Sequence, residues 1–216
     1  MYKYALGLSR RPHVRLTGLE NRINTPVAQT LIKRLNLAAI TVLGNQTGVL
    51  PLDPVVKDVA VLNVGDAKTV APFLKELSRY THPVVHQLGE NLPEAEYGQL
   101  RDSLVHYKRI LVCITEQKLA AYQAFFAKFA PEVPVVYLSF IPGKQLLQIH
   151  RGISAAEAVV LAHSADEEVQ QRVAGVLYGD VRADGRLSAA IGGLFAAGMG
   201  EVLGPHSVPR FVPEEY

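Results

Sequence analysis

Four acids and one histidine occupy the positions in this sequence where chemistry would be done. Asp66, Glu90, Glu116 and Asp166 each come shortly after an apolar run that reads as a β-strand, and His163 closes another such run. In an open α/β sheet, ligands bind outside the carboxyl ends of the strands. Glu116 directly follows the run Ile110–Thr115, so it is placed to face a ligand there. Ordinary glycoside hydrolysis needs two carboxylates flanking one bond, and sequence alone brings no two of these four to that separation. Asp66, Glu116 and His163 are therefore taken as candidate substrate-binding residues, and no residue is assigned a catalytic role. Plainer roles stand beside several of these residues. Glu116 is also a loop acid open to solvent, His163 is also a polar residue satisfied at a strand end, and Asp166 is better explained as a helix N-cap.

Other chemistries find little support. There is no Gly-x-x-x-x-Gly-Lys-Ser/Thr loop, and no Gly-x-Gly-x-x-Gly joins a strand to a helix. Gly192-Gly193 and Gly198-Met199-Gly200 lie in the wrong context for one. No Gly-x-Ser-x-Gly elbow is present. Of the seven histidines, His82 and His86 are closest to a metal-ligand spacing. Pro83-Val84-Val85 between them reads as strand, which separates them by ~13 Å, too far to share a zinc ion. Neither a metal nor a cofactor is expected. Cys113 is the single cysteine and lies in Ile-Leu-Val-Cys-Ile. It reads as a buried structural thiol rather than a nucleophile. Asn45-Gln46-Thr47 matches a glycosylation sequon, a pattern that recurs by chance.

These residues must be positioned by a fold, and composition bounds it. The 216 residues are 49% hydrophobic and 19% charged, enough for a sizeable core and incompatible with global disorder. The net charge of +2 is spread along the chain without a basic block, which argues against nucleic acid as a partner. No apolar run approaches the ~18 residues of a membrane span, and the first residues lack the apolar core of a signal peptide.

Five apolar segments read as strands: Asp58–Val64, Pro83–Leu88, Arg109–Thr115, Pro134–Phe140 and Glu157–His163. They alternate with helical segments, the first opening at Asn24-Thr25-Pro26 and running to about Leu43 with Leu31, Leu35, Ala38 and Val42 on one face. Others follow at Val70–Tyr80, Pro93–Tyr107 and Lys118–Ala130, with a helical turn at Gln145–Ile149. From Glu167, Val169, Val173, Val176 and Leu177 recur with helical period, and Gly179 is placed for the left-handed conformation that ends a helix. Asp184-Gly185 then reads as a turn and Arg186–Ile191 as a short final strand. Strands alternating with helices imply an α/β three-layer sandwich. Its sheet is mostly parallel, doubly wound, flavodoxin-like and five- to six-stranded, and its last strand is expected to be antiparallel.

Taken together, the segments resemble the C-terminal α/β sandwich domain of glycoside hydrolase family 3, nearest the β-N-acetylglucosaminidase branch. Asn24-Thr25-Pro26, then Ala39–Asn45 and Val49-Leu50-Pro51-Leu52, are similar to the domain entry of that family, an "SITLLKN…LLPL" pattern. Val176–Val181 through Gly185-Arg186-Leu187 is similar to its "LFGxxxxxGKLP" closure. Tyr2–Leu8 is like the connector from the preceding barrel, and Gly192–Glu215 is like the linker leading out. Ser188 stands where the family has a proline, and Gly44 where it has a lysine.

The resemblance implies an arm over residues 1–23, the α/β domain over 24–192, and a tail over 193–216. It implies an N-terminal (β/α)8 barrel in the same polypeptide, which carries the nucleophilic aspartate and binds the carbohydrate substrate; in some relatives a serine β-lactamase-like domain follows. In the β-glucosidase branch, the acid/base glutamate lies in a long loop after the strand matching Arg109–Thr115. Here Glu116-Gln117 leads almost directly into a helix, which fits the glucosaminidase branch, whose acid/base is a barrel histidine. The implied function is a non-catalytic domain that packs on the barrel and lines the substrate cleft, with the isolated chain inactive and the enzyme exported or periplasmic. The alternative is a stand-alone flavodoxin-like ligand-binding or interaction module.

Overall fold

The computed structural model describes residues 5, 7, 16–90, 92–104, 106–129 and 134–205. Most of the connector-like segment Tyr2–Leu8 and the tail beyond residue 205 lie outside the described residues. The chain divides into two compact units, Met1–Arg34 and Leu35–Tyr216.

The first unit contains α1 (Leu19–Ile23) and the start of α2 (Pro26–Ala38). Thr25 caps α2, its Oγ1 accepting from the Ala28 amide at 3.1 Å, and Pro26 fills the first helical position, where a missing N–H costs nothing. No residue of α2 is buried, and Leu31 and Leu35 are exposed.

The second unit holds a six-stranded sheet in the order β1-β6-β5-β4-β2-β3. The strands are β1 (Thr41–Leu43), β2 (Val59–Val64), β3 (Val84–Leu88), β4 (Arg109–Ile114), β5 (Val135–Ser139) and β6 (Ala158–Leu161). All neighbouring pairs are parallel except β1 with β6. Side chains alternate across the sheet, and the register keeps each face continuous. Val61, Leu111, Val136 and Val160 face one core, against α3 (Ala67–Leu77) and α7 (Glu167–Leu177). Leu62, Val112, Tyr137 and Val159 face the other. That second layer comprises α4 (Glu94–Leu104), a 3₁₀ turn at Leu119–Tyr122, α5 (Gln123–Lys128), a second 3₁₀ turn at Gly143–Ile149, and α6 (His150–Ser154). The three-layer α/β sandwich is thus the architecture found. Cys113 is fully buried in the first core, where burial pushes its thiol pKa far up.

Three expectations need correction. The first helix ends at Ala38 rather than Leu43, because Thr41–Leu43 forms β1, and this first strand, not the last, is the antiparallel one. Ile40, Val42 and Leu43 are at most 1% exposed. Burying each stabilises by about 1.5–3 kcal/mol, against helix-propensity differences of at most ~0.7 kcal/mol per residue. Arg186–Ile191 forms no strand with the sheet. It folds on itself, with Leu187 N donating to Met199 O, Gly198 N to Leu187 O, and Ile191 N to Phe195 O.

In α7, Val169, Val173, Val176 and Leu177 are all buried, and Gly179 adopts φ 77° just past the helix end. Gln170 of this helix clamps α3. Its amide donates to Thr69 O at 2.9 Å and accepts from Phe73 N at 3.2 Å, flanking the helix-breaking Pro72.

Below the sheet's amino edge, Tyr80 and Tyr178 stack with ring centroids 4.4 Å apart, and the Tyr80 hydroxyl donates to Asp180 at 2.7 Å. Burial, and for Tyr80 also the Asp180 carboxylate, pushes both phenols up to about 12. The fold therefore favours the neutral phenols over the free tyrosine value of ~10. Their contribution to stability is complete below pH 10 and is lost as pH rises from 10 through 12. Urea midpoints should hold steady to pH 9 and fall between pH 10 and 12, with part of the tyrosinate absorbance at 295 nm appearing only in that fall. Tyrosines that all titrate together near pH 10 in a still-folded chain would contradict this.

Candidate functional site at the carboxyl edge

The strand order places the site. From β2 the chain moves outward to β3, returns past β2 to β4, and continues to β5 and β6. The direction reverses between β2 and β4, and the crevice outside such a switch point is where open α/β sheets hold ligands. Gly65-Asp66 leave β2 and Thr115-Glu116 leave β4, so two of the three candidate residues flank this point. His163 leaves β6, two strands beyond β4.

The crevice is closed by backbone. The Val64 carbonyl accepts from both Thr115 N (3.0 Å) and Glu116 N (3.2 Å). Gly65 has φ 125°, and a Cβ there would collide with Thr115 Oγ1 and stand 2.9 Å from Glu116 N. Beneath it, fully buried Asn63 donates from Nδ2 to Gly65 O (3.1 Å) and Gln87 Oε1 (2.8 Å), while Gln87 Nε2 donates to the same Gly65 O at 2.8 Å. The Asn63 and Gln87 amides thus tie the loop after β2 to β3, while the Val64 carbonyl ties it to the loop after β4.

Each candidate acid is engaged locally. Asp66 is the N-cap of α3, accepting from Lys68 N at 3.3 Å and from Thr69 Oγ1 at 3.4 Å. Glu116 Oε1 accepts from Lys118 N at 2.8 Å. Asp166 occupies the N-cap position of α7, but its side chain does not cap. It accepts instead from Asn36 Nδ2 at 3.2 Å, which corrects the capping role expected of it. His163 is exposed and takes φ 61°, a left-handed conformation uncommon for a residue with a side chain. Partial desolvation of its ring lowers its pKa from the ordinary value.

An open cleft of about 680 Å³ lies beside Glu116, walled by Thr115, Gln117, Lys118, Ala120, Gln145 and Gln148. Gln148 Nε2 donates to Gln145 Oε1 at 2.8 Å and to Gln117 O at 3.3 Å, fixing both amides on the wall. Tyr122, on the same 3₁₀ turn as Ala120, is almost wholly buried; its phenol pKa is raised by burial first, and then by the Glu90 and Glu116 carboxylates. Cleft and rim thus offer a carboxylate, a hydroxyl and paired amides, groups that exchange hydrogen bonds with hydroxyls and acetamides. The structure brings Glu116 into this cleft but neither Asp66 nor His163. Sequence reasoning missed Gln145 and Gln148; their i, i+3 spacing on a short helical turn was the available signal. Among the described residues, no group of three His, Cys, Asp or Glu side chains could hold a metal. Asn45, of the sequon, is used internally: it accepts from Leu50 N and donates to Leu50 O, both at 2.8 Å.

No protein-family model and no curated protein matches the chain. Solved structures do share its fold. One is a fungal multi-domain GH3 β-N-acetylglucosaminidase with a GCN5-related glucosamine N-acetyltransferase region, at TM-score 0.59 and 13% identity, over 90% of this chain and 22% of that one. Another is a glycoside hydrolase family 3 β-N-acetylglucosaminidase from Paenibacillus sp. str. FPU-7, at TM-score 0.55 and 17% identity, over 88% of this chain and 37% of that one. The chain therefore spans between about a fifth and somewhat over a third of the structures it matches. At these identities the likeness is one of fold.

The closed switch point gives a test. Gly65→Ala should lower stability by about 2–4 kcal/mol, from backbone strain plus overpacking, read as a fall in the urea midpoint. An unchanged midpoint would show that the β2 and β4 loops do not meet as described.

Proposed function

We propose that this chain is a non-catalytic α/β domain of a larger glycoside hydrolase of the family 3 type, acting on a β-linked N-acetylhexosamine or β-glucoside. The observation that carries the reading is the fold, shared over nine-tenths of this chain with a part of a much longer β-N-acetylglucosaminidase. In this reading a (β/α)8 barrel of the same polypeptide supplies the catalytic groups. The domain packs on that barrel and turns its carboxyl edge toward the sugar. Glu116, Gln145 and Gln148 would contact substrate hydroxyl or acetamide groups, while Asp66 and His163 flank the same edge.

Local chemistry supports the absence of a catalytic role. Glu116 is held by its own loop at Lys118 N, and Asp66 is occupied as a helix cap. Only two residues separate Glu116 from the turn at Leu119, too short a loop to project an acid deep into a partner's cleft. The stand-alone flavodoxin-like module has less support, since Thr115 and Glu116 pack onto Gly65 where such a ligand would enter.

The test is titration of the chain with N,N′-diacetylchitobiose, followed by amide NMR. Saturable shifts are expected at residues 115–118 and at the side-chain amides of Gln145 and Gln148. Glu116→Gln should weaken binding about tenfold, the ~1.4 kcal/mol typical of one charge-assisted hydrogen bond. No saturable shift, or shifts confined to other surfaces, would overturn the sugar-facing assignment.

A further inference from the structure

A second concavity, on the outer face of the same unit, is built from different chemistry. It holds about 160 Å³ between α4 and α5, lined by Tyr97, Gly98, Arg101, Phe125, Lys128 and Phe129. Tyr97 and Arg101 are one turn apart on α4 and share a helix face, while Phe125 lies on α5 and Phe129 is the extended residue that ends it. Phe125 and Phe129 stack at 5.0 Å and 25°, and Tyr97 meets Phe125 edge-on at 5.5 Å and 81°. Both phenylalanines are nearly buried, at 4% and 6% exposure, so they form a fixed aromatic wall. Gly98 also lines the pocket, and a Cβ added there would meet nothing within 4 Å.

Size and charge select a ligand. An apolar cavity of about 150 Å³ holds one benzene ring, so this pocket has room for a single six-membered ring. Aromatic walls favour an aromatic ring over a saturated polyol, because offset and edge-on ring contacts add about 0.5–1.5 kcal/mol to burial. Arg101 and Lys128 place two cationic side chains at the lining. Arg101 does meet Asp102 at 3.4 Å, but both are well exposed, and such surface pairs contribute little. A carboxylate carried in by the ring would be held closer to an apolar wall, where the same pairing is stronger.

We propose that this pocket binds a small aromatic carboxylate, its ring against the Phe125–Phe129 wall beside Gly98 and its carboxylate on Arg101. The inference is independent of the hydrolase reading. Titration of the 216-residue chain with benzoate, followed by amide NMR, tests it. Saturable shifts should appear at residues 97–101 and 125–129, with a Kd on the order of 1 mM, as expected for so few ligand atoms. Acetate should produce none, and benzyl alcohol should bind about tenfold more weakly. Gly98→Leu fills the pocket on a helix that accepts the side chain, and should abolish binding with the fold intact. Arg101→Gln should weaken benzoate binding about tenfold and leave benzyl alcohol unchanged. Equal shifts with acetate and benzoate, no saturation by 20 mM benzoate, or wild-type affinity in Gly98→Leu would each overturn the proposal.

Discussion

Burial of the sheet on both faces governs this molecule. Every residue of β2, β5 and β6 is buried between the two helical layers, and only the edge strand β3 is largely exposed. Chemistry is thereby pushed to the rims. At the amino rim the polar groups are structural, as the stacked Tyr80 and Tyr178 with Asp180 illustrate. At the carboxyl rim the loops are short and polar, and there the strand order creates its one reversal. A charged group in the sheet interior would carry a desolvation penalty of several kcal/mol per ion; Asn63, the polar side chain fully buried in β2, is neutral and bonded to Gly65 and Gln87.

The closed switch point then decides where the carboxyl edge is open. Gly65, Thr115 and Glu116 occupy the crevice in which a flavodoxin-like sheet would hold a ligand, and their backbone contacts lock β2 to β4. The open space shifts to the next gap along the edge, between the loop after β4 and the turn after β5. Gln145 and Gln148 wall it, bonded to each other and to Gln117 O, so their amides are already oriented. Neutral amides and a carboxylate are groups that exchange hydrogen bonds with hydroxyls. That inventory supports the proposed role, a wall that shapes a sugar site completed by another domain.

How much of this was legible from sequence divides along physical lines. The buried strands and α7 were, because parallel strands covered on both faces are near-continuous apolar runs and because Val169, Val173, Val176 and Leu177 keep helical period. β1 was hidden: Val42 continues the period of Leu31, Leu35 and Ala38, and only burial against β6 decides that Thr41–Leu43 is strand. Arg186–Ile191 has a strand's composition but pairs with its own continuation near Gly198. The clamp of Gln170 on α3 joins residues about a hundred apart in sequence, which no local pattern announces, and the Gln145–Gln148 wall left only an i, i+3 spacing on one short turn. Asp166 looked like a cap by type and position, yet its carboxylate is taken by Asn36, 130 residues away in sequence.

The central claim is that this chain shapes a glycosidase site without performing the chemistry. The most direct measurement is release of nitrophenol from 4-nitrophenyl N-acetyl-β-D-glucosaminide by the purified 216-residue chain, beside a fusion in which a family 3 barrel precedes Met1. The account predicts hydrolysis by the fusion and none above the uncatalysed rate by the chain alone. Turnover by the chain alone, lost in Glu116→Gln, would contradict it and place the catalytic acid on the loop after β4.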